Sequence, residues 1–118
     1  MTISRVLEIL DAELLTGQGA AEQRDLQTAC GSDLMSDVLC IRGSPHLLLT
    51  ALTNPQTVRT AEMAEIAAVC FVHGKKPPAE TLELARKNGL PLLATRLSMF
   101  TACGRLFAAG LKDCGEGV

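Results

Sequence analysis

The chain has 118 residues, a formal net charge of -2 and 47% hydrophobic residues, which is typical of one globular domain with a single core. Acidic residues outnumber basic ones by 13 to 11 and aromatic residues make up 3%, so a nucleic-acid partner is not expected. No stretch has the roughly 18 to 20 uncharged residues of a membrane-spanning helix, and residues 1–15 lack the features of a secretory signal, which predicts a cytoplasmic protein without a membrane partner.

The N-terminal part predicts an amphipathic helix. Thr2 is a suitable cap, and apolar residues follow it at helical spacing, at Ile3, Val6, Leu7, Leu10 and Leu14. Gly17 and Gly19 would end the helix, so we expect it over residues 1–17 with one face packed on a core.

Two shorter elements are expected next. Leu26, Thr28 and Cys30 alternate with their neighbours in a pattern that predicts a half-buried strand, which an edge of a sheet could accommodate. The chain then turns into a short helix around residues 34–39, for which Ser32 or Asp33 would be the cap.

Two nearly continuous apolar runs, Leu47–Leu52 and Ala67–Val72, have the length of strands. Such runs are typical of parallel strands that are covered on both faces. Between the two runs, Asn54 is a suitable cap and Pro55 a suitable first residue, so we predict a helix that continues through Ile66.

The C-terminal part repeats this order. Pro77-Pro78 opens a helix that Asn88-Gly89 closes, and Leu90–Ala94 predicts a fourth strand. Ser98 caps a last helix, and we expect the core to contact its apolar stripe of Met99, Cys103, Leu106, Phe107 and Leu111. A glycine inside a helix costs about 1 kcal/mol relative to alanine, so Gly104 predicts that another backbone comes close.

Strands and helices thus alternate after an N-terminal helix, and each helix can be the right-handed crossover between two parallel strands. We predict an α/β fold, a small three-layer sandwich with a mainly parallel four-stranded sheet. The chain would be a single domain over residues 1–118, with the N-terminal helix at 1–17, the α/β core at 24–111 and a frayed tail at 112–118.

The loops that follow the strands predict a ligand site. Ligands of parallel sheets bind beyond the carboxyl ends of the strands, and helix starts in these loops expose amide groups that can bind an anion. The candidate ligand-binding residues are Ser32, Asp33, Asn54, Gln56, Arg59, Lys75, Thr95 and Arg96. We expect Arg59 to be the main charged contact, with Lys75 and Arg96 converging from the neighbouring strand ends. In the alternative, Arg59 pairs with Glu62 and the loop lysines are solvated.

The motifs of enzymes and metal sites are not found. Gly74-Lys75-Lys76 lacks the other residues of a phosphate-binding loop, and Ser36 and Ser98 have no nucleophile-elbow sequence around them. His46 and His73 have no carboxylate or cysteine at metal-ligand spacing, and none of the five cysteines forms a Cys-x-x-Cys pair. We therefore expect reduced thiols, loop histidines without a special role, no metal, no cofactor and no catalytic activity.

Three stretches resemble the DRTGG domain, namely Gly31–Leu39, Leu47–Thr53 and Leu90–Thr95. The resemblance runs from about Leu26 to Leu111 and includes the order of the elements. Similar domains occur within some bacterial phosphotransacetylases and between the CBS domains of some inorganic pyrophosphatases, and the amino-terminal domain of HPr kinase/phosphorylase looks related. The resemblance implies an α/β sandwich that serves as a regulatory or assembly module, usually without an assigned catalytic activity.

At the residues that give the family its name, the chain differs. Many of the similar domains carry Asp-Arg after the second strand, where this chain has residues 53–59, and only Gly74 matches the later glycine pair.

Two functions agree with these observations. The first is a stand-alone regulatory module that binds a small anionic metabolite or nucleotide, as a homodimer or as the subunit of a protein partner. The second is a protein-interaction or assembly domain without a small ligand. The homodimer is expected because the first and last helices offer more apolar surface than a four-stranded sheet needs.

Overall fold

The computed structural model describes residues 1–41 and 46–114. Within them the elements in chain order are α1 (Ile3–Leu10), β1 (Glu13–Thr16), a 3-10 helix (Ala20–Gln23), β2 (Thr28–Gly31), α2 (Met35–Val38), β3 (His46–Thr50), α3 (Pro55–Met63), β4 (Ala68–Phe71), α4 (Ala79–Asn88), β5 (Leu92–Ala94), α5 (Met99–Ala108) and β6 (Lys112–Asp113). No helix of the described residues is both long enough and apolar enough to cross a membrane.

The strands form one six-stranded sheet in the order β1-β5-β4-β3-β2-β6. The central strands are parallel, so that Leu48 of β3 lies between Cys30 of β2 and Val69 of β4. β6 also runs parallel to β2, whereas β1 is antiparallel to β5. The mainly parallel sheet is confirmed, with six strands in place of the predicted four.

Helices cover both faces of the sheet, which confirms the three-layer α/β fold. One face packs on α1 and α5, and it includes Leu47 and Leu49 of β3. The other face packs on α2, α3 and α4, and it includes Leu48 and the fully buried Phe71. Since successive strand residues point to opposite faces, an uninterrupted apolar run supplies both cores.

The N-terminal helix is shorter than predicted, because it ends at Leu10 and not at residue 17. Asp11 follows in a left-handed conformation with a φ of 49°, which an aspartate tolerates better than most residues. Leu14, expected on the helix, therefore lies in β1. The buried Thr16 hydroxyl forms two hydrogen bonds with the neighbouring part of the chain. It donates to the Leu90 carbonyl at 2.7 Å and accepts from the Leu92 amide at 2.9 Å.

Two other boundaries also differ from the prediction. Lys112–Asp113, expected in a frayed tail, forms β6 and makes β2 an inner strand rather than an edge; residues 115–118 of that tail lie outside the described residues. α3 ends at Met63 rather than Ile66, because Glu65 has a φ of 57° that no α-helix accommodates.

The predicted N-caps of α1, α3 and α5 and the predicted end of α4 are confirmed. The Thr2, Asn54 and Ser98 side chains accept hydrogen bonds from backbone amides in the first turns of α1, α3 and α5. Gly89 ends α4 in the left-handed conformation that glycine favours, with a φ of 69°. Two residues of the predicted α5 stripe differ. Phe107 is 70% exposed, and Leu111 is buried but lies beyond the end of the helix at Ala108.

Candidate functional site

The chain leaves β4 and β5 toward opposite faces of the sheet. β4 leads into α4, which packs on the same side as α3, whereas β5 leads into α5, which packs on the side of α1. Two neighbouring parallel strands whose connections diverge in this way leave a crevice beyond their carboxyl ends, where open α/β sheets bind ligands. The topology therefore places the candidate site beyond β4 and β5.

A cavity of about 550 Å³ lies at this position. Its lining consists of residues from the ends of α1, β1, β4 and β5, namely Leu10, Asp11, Glu13, Gly74, Lys75, Lys76, Ala94, Thr95, Arg96 and Leu97. The size is within the range of small-molecule sites. Three cations and two carboxylates thus surround one crevice.

Only one of the cations is paired within the crevice. Lys76 Nζ lies 3.2 Å from Glu13 Oε1, and because both side chains are exposed the pair contributes at most about 1 kcal/mol. Among the described residues, Lys75 and Arg96 form no ion pair. Their charges are therefore the ones available to an anionic ligand.

The backbone of the crevice is largely occupied by its own hydrogen bonds. The amide of His73 donates to the Leu97 carbonyl at 2.7 Å, and the amide of Gly74 donates to the Thr95 carbonyl at 3.0 Å. Both donor residues have positive φ values, 63° and 70°, which turn the chain sharply after β4. An anion here would consequently be bound by side-chain charges rather than by these amide groups.

Thr95, one of the predicted ligand residues, is part of the crevice wall, but its hydroxyl is already used. It donates to the carbonyl of Leu10 at 2.7 Å and accepts from the amide of Leu97 at 3.2 Å. The side chain is 3% exposed. Thr95 therefore joins the end of α1 to the end of β5.

The prediction that Arg59 lies together with Lys75 and Arg96 is wrong. Arg59 lines a separate groove of about 270 Å³ between α3 and α4, which includes the carboxylates of Glu80 and Glu83. The reason is topological, because α3 and α4 lie side by side on one face and Arg59 is one turn into α3.

The alternative for Arg59, an ion pair with Glu62, is not found among the described residues either. The Glu62 carboxylate instead accepts a hydrogen bond from the Asn88 side chain of α4.

The predicted residues after β3 and in the first turn of α3 do not reach the crevice. Asn54 Oδ1 accepts from the Thr57 amide at 3.2 Å and so is used as the helix cap. Gln56 is exposed within the first turn of α3. Neither residue lines the cavity beyond β4 and β5.

Ser32 and Asp33 stabilise the turn after β2. Ser32 Oγ accepts from the Leu34 amide at 3.0 Å. The prediction that Ser32 or Asp33 caps α2 is wrong, because the N-cap residue of this helix is Leu34. Asp33 Oδ1 accepts from the Thr50 hydroxyl at 2.7 Å and from the Ala51 amide at 2.8 Å. These two hydrogen bonds lower the pKa of Asp33 below its usual value, with a smaller contribution from His73.

The role of Asp33 leads to a prediction. Asp33→Ala should lower the free energy of unfolding at pH 7 by about 1 kcal/mol, because two charge-assisted hydrogen bonds are lost at a solvent-exposed carboxylate. Since folding lowers the pKa, the wild-type advantage should be complete above about pH 5 and should disappear as the pH falls below about 3.9. Urea denaturation of both proteins between pH 3 and 7 measures this difference, and a difference that does not change with pH would contradict it.

Three residues that line the crevice were not among the predicted site residues, namely Asp11, Glu13 and Lys76. Asp11 and Glu13 were assigned to the N-terminal helix, so their position beside β5 could not be inferred. The available signal was Asp11 itself, because aspartate is one of the few residues that tolerates the left-handed turn at a helix end.

The two histidines have different environments. His46, expected in a loop, is the first residue of β3, where it is buried and its Nδ1 contacts the Thr28 hydroxyl. His73 lies after β4 as expected, and its Nε2 accepts from the Met99 amide at 3.4 Å, at the start of α5. Among the described residues, no three His, Cys, Asp or Glu side chains are placed to hold a metal ion.

The five cysteines are free thiols. Burial raises the pKa of Cys70 to about 12 and also raises the pKa of Cys103 and Cys114. The pKa of Cys30 is raised by burial and by a hydrogen bond with Cys114. These thiols thus have the character of small apolar side chains.

No protein family matches the sequence. No curated protein matches it either. The solved structures do contain matches, one of which is the structure of the CBS and DRTGG domains of the regulatory region of Clostridium perfringens pyrophosphatase, complexed with its activator diadenosine tetraphosphate. The match has a TM-score of 0.63 and 19% sequence identity, and it covers 89% of this chain but 45% of the other, so this chain spans less than half the length of that region. The α/β fold described above is therefore shared with part of a CBS- and DRTGG-containing regulatory region, in agreement with the expected DRTGG-like fold.

Proposed function

We propose that this chain is a regulatory module, without catalytic activity of its own, that binds a small anionic metabolite or nucleotide in the crevice beyond β4 and β5. The observation that carries the proposal is the position of Lys75, Lys76 and Arg96 around a cavity of about 550 Å³ at the point where the chain leaves the sheet in two directions. Positive side chains at such a crevice attract and orient an anionic group.

The carboxylates of the crevice narrow the class of ligand. Asp11 and Glu13 lie in the same lining as the cations, so a ligand that was only an anion would meet repulsion on one side. A nucleotide satisfies both sides, because its phosphates accept from Lys75 and Arg96 while its sugar hydroxyls donate to a carboxylate. We therefore favour a nucleotide over inorganic phosphate.

The structural neighbour supports a regulatory role of this kind. The regulatory region of the C. perfringens pyrophosphatase was crystallised with a nucleotide activator, diadenosine tetraphosphate. A similar fold in a regulatory region makes a nucleotide the first ligand class to test here.

Binding can be tested by calorimetric titration of the protein with adenine and guanine nucleotides, diadenosine tetraphosphate and inorganic phosphate. We expect at least one nucleotide to bind more tightly than phosphate. In the Lys75→Ala and Arg96→Ala variants we expect affinity to fall about 10- to 100-fold, since a hydrogen bond to a charged group contributes about 1.5 to 3 kcal/mol.

The matched control is Arg59→Ala, which also removes one exposed cation but from the groove between α3 and α4. Affinity in this variant should equal that of the wild type. The site assignment is wrong if Arg59→Ala weakens binding as much as Arg96→Ala does, and the function is wrong if no nucleotide or phosphorylated metabolite binds.

A second candidate function is a protein-interaction domain without a small ligand. The observation that favours it is an apolar groove of about 460 Å³ between α5 and the β2–β6 edge, flanked by Phe100 and Phe107. Thermal shift distinguishes the two candidates, because nucleotides should raise the melting temperature only of a ligand-binding module. A homodimer, in turn, is a proposal that agrees with either candidate.

A further inference from the structure

The outer face of α5 is apolar and uncovered. Phe100 is 88% exposed and Phe107 is 70% exposed, which is unusual for phenylalanine in a chain that buries most of its large apolar residues. The two residues are two helical turns apart, so they lie on one face about 10 Å from each other. Gly104 lies between them on the same face and is exposed.

Packing within the described residues does not require a glycine at position 104. A Cβ atom added to it would meet no atom within 4 Å, so no packing requires the missing side chain. Its φ is not in the left-handed region either, because Gly104 lies inside the regular helix. The sequence predicts a close backbone at this glycine, and the described residues do not provide one.

We propose that this face binds the same face of a second copy of the chain, with the two α5 helices crossing antiparallel at Gly104. This deepens the homodimer of the proposed function and does not depend on the ligand. Phe100 and Phe107 are nearly equidistant from Gly104. A two-fold axis near Gly104 therefore creates two equivalent contacts, each between Phe100 of one chain and Phe107 of the other. The glycine then allows the two backbones to approach closely at the crossing.

Charge does not oppose this arrangement. The only charged residue of α5 is Arg105, and its guanidinium is turned away toward α1, where it donates to the Ile9 carbonyl at 3.3 Å. The face between the two phenylalanines therefore carries no like charges that a two-fold axis would bring together.

The exposed area of Phe100 and Phe107 is that of a small, weak symmetric interface. Given their exposure and the 150 to 250 Å² that a phenylalanine can bury, Phe100 and Phe107 present on the order of 300 Å² per chain. In a symmetric pair they would bury on the order of 600 Å², about half of the roughly 1,200 Å² at which stable interfaces begin. Interfaces of this size are weak, so we expect a dimer that forms only at high protein concentration.

Sedimentation velocity without ligand, between about 1 and 300 µM, tests the interface. We expect the wild type to be a dimer at the upper concentrations, and we expect Phe107→Glu and Gly104→Gln to weaken dimerisation at least 10-fold. Met63→Glu is the matched control, because Met63 is 71% exposed on α3 and should leave the dimer unchanged. Circular dichroism verifies that each variant is folded.

Cross-linking tests the register of the crossing. In a Cys40→Ser background, which removes the exposed thiol, Gly104→Cys should form a covalent dimer on mild oxidation, whereas Met63→Cys should not. A wild type that is monomeric at 300 µM overturns the proposal, as does a dimer that survives Phe107→Glu and Gly104→Gln. Since nucleotide titration is carried out separately with crevice variants, failure of this interface leaves the ligand site unaffected, and the reverse also holds.

Discussion

Thr95→Val should lower the free energy of unfolding by about 2 to 3 kcal/mol. Valine has nearly the same shape as threonine, but it leaves the buried carbonyl of Leu10 and the amide of Leu97 without their hydrogen-bond partner. An unsatisfied buried polar group costs about 1 to 3 kcal/mol. Urea denaturation at pH 7 measures the loss.

Thr95→Ser is the control for this change. Serine keeps the hydroxyl and removes only a methyl group, so the loss should be clearly smaller than in Thr95→Val. If both variants lose the same free energy, packing of the methyl group rather than the two hydrogen bonds stabilises the junction of α1 with β5.

The second large expected effect is a loss of folding stability at alkaline pH that depends on Cys70. Cys70 is fully buried, and burial raises the pKa of its thiol to about 12. The pKa of a cysteine thiol in an unfolded chain is about 8.5. A group whose pKa is raised by folding keeps its proton in the native state at pH values where the same group in the unfolded chain has already lost it. Its contribution to stability is therefore complete below about pH 8.5 and falls by about 1.4 kcal/mol per pH unit up to about pH 12.

Cys70→Ala removes this contribution. At pH 7 the variant should be less stable than the wild type, because a buried sulfur atom is lost from the core. Between about pH 9 and 11 the difference should narrow by about 2 to 3 kcal/mol as the wild type loses stability faster. Cys40→Ala, at the surface, should follow the wild-type curve, and parallel curves for Cys70→Ala and the wild type would contradict the shifted pKa.

The central strands and their crossover helices could be predicted from the sequence because their signals are local. The uninterrupted apolar runs of β3 and β4 indicate burial on both faces, and Asn54 and Ser98 mark the helix starts by chemistry contained within four residues. β1 was missed because Leu14 continues the helical spacing of α1. It is a strand because its backbone pairs with β5, and the Thr16 hydroxyl adds two hydrogen bonds there, all to residues more than seventy positions away.

The candidate site was predicted only in part. The rule that ligands bind beyond strand ends identified Lys75 and Arg96, but it could not decide which loops meet, because that depends on the face to which each helix returns. α3 and α4 lie on the same face, so Arg59 turns to its neighbour helix rather than to the edge of the sheet. Asp11 and Glu13, the acidic residues of the crevice, could not be predicted because the helical spacing of α1 concealed β1.

The N-terminal segment that carries Asp11 and Glu13 can affect the dynamics of the crevice. Leu10, Asp11 and Glu13 come from the first sixteen residues of the chain, in which β1 pairs with β5 at the edge of the sheet and α1 packs on one face of it. Local units of this size open on their own with less free energy than global unfolding requires. Because opening removes one wall of the crevice, a bound nucleotide would shift that equilibrium toward the closed form by mass action. If a nucleotide binds in the crevice as proposed, amide exchange in α1 and β1 should become slower, although neither element contributes Lys75 or Arg96.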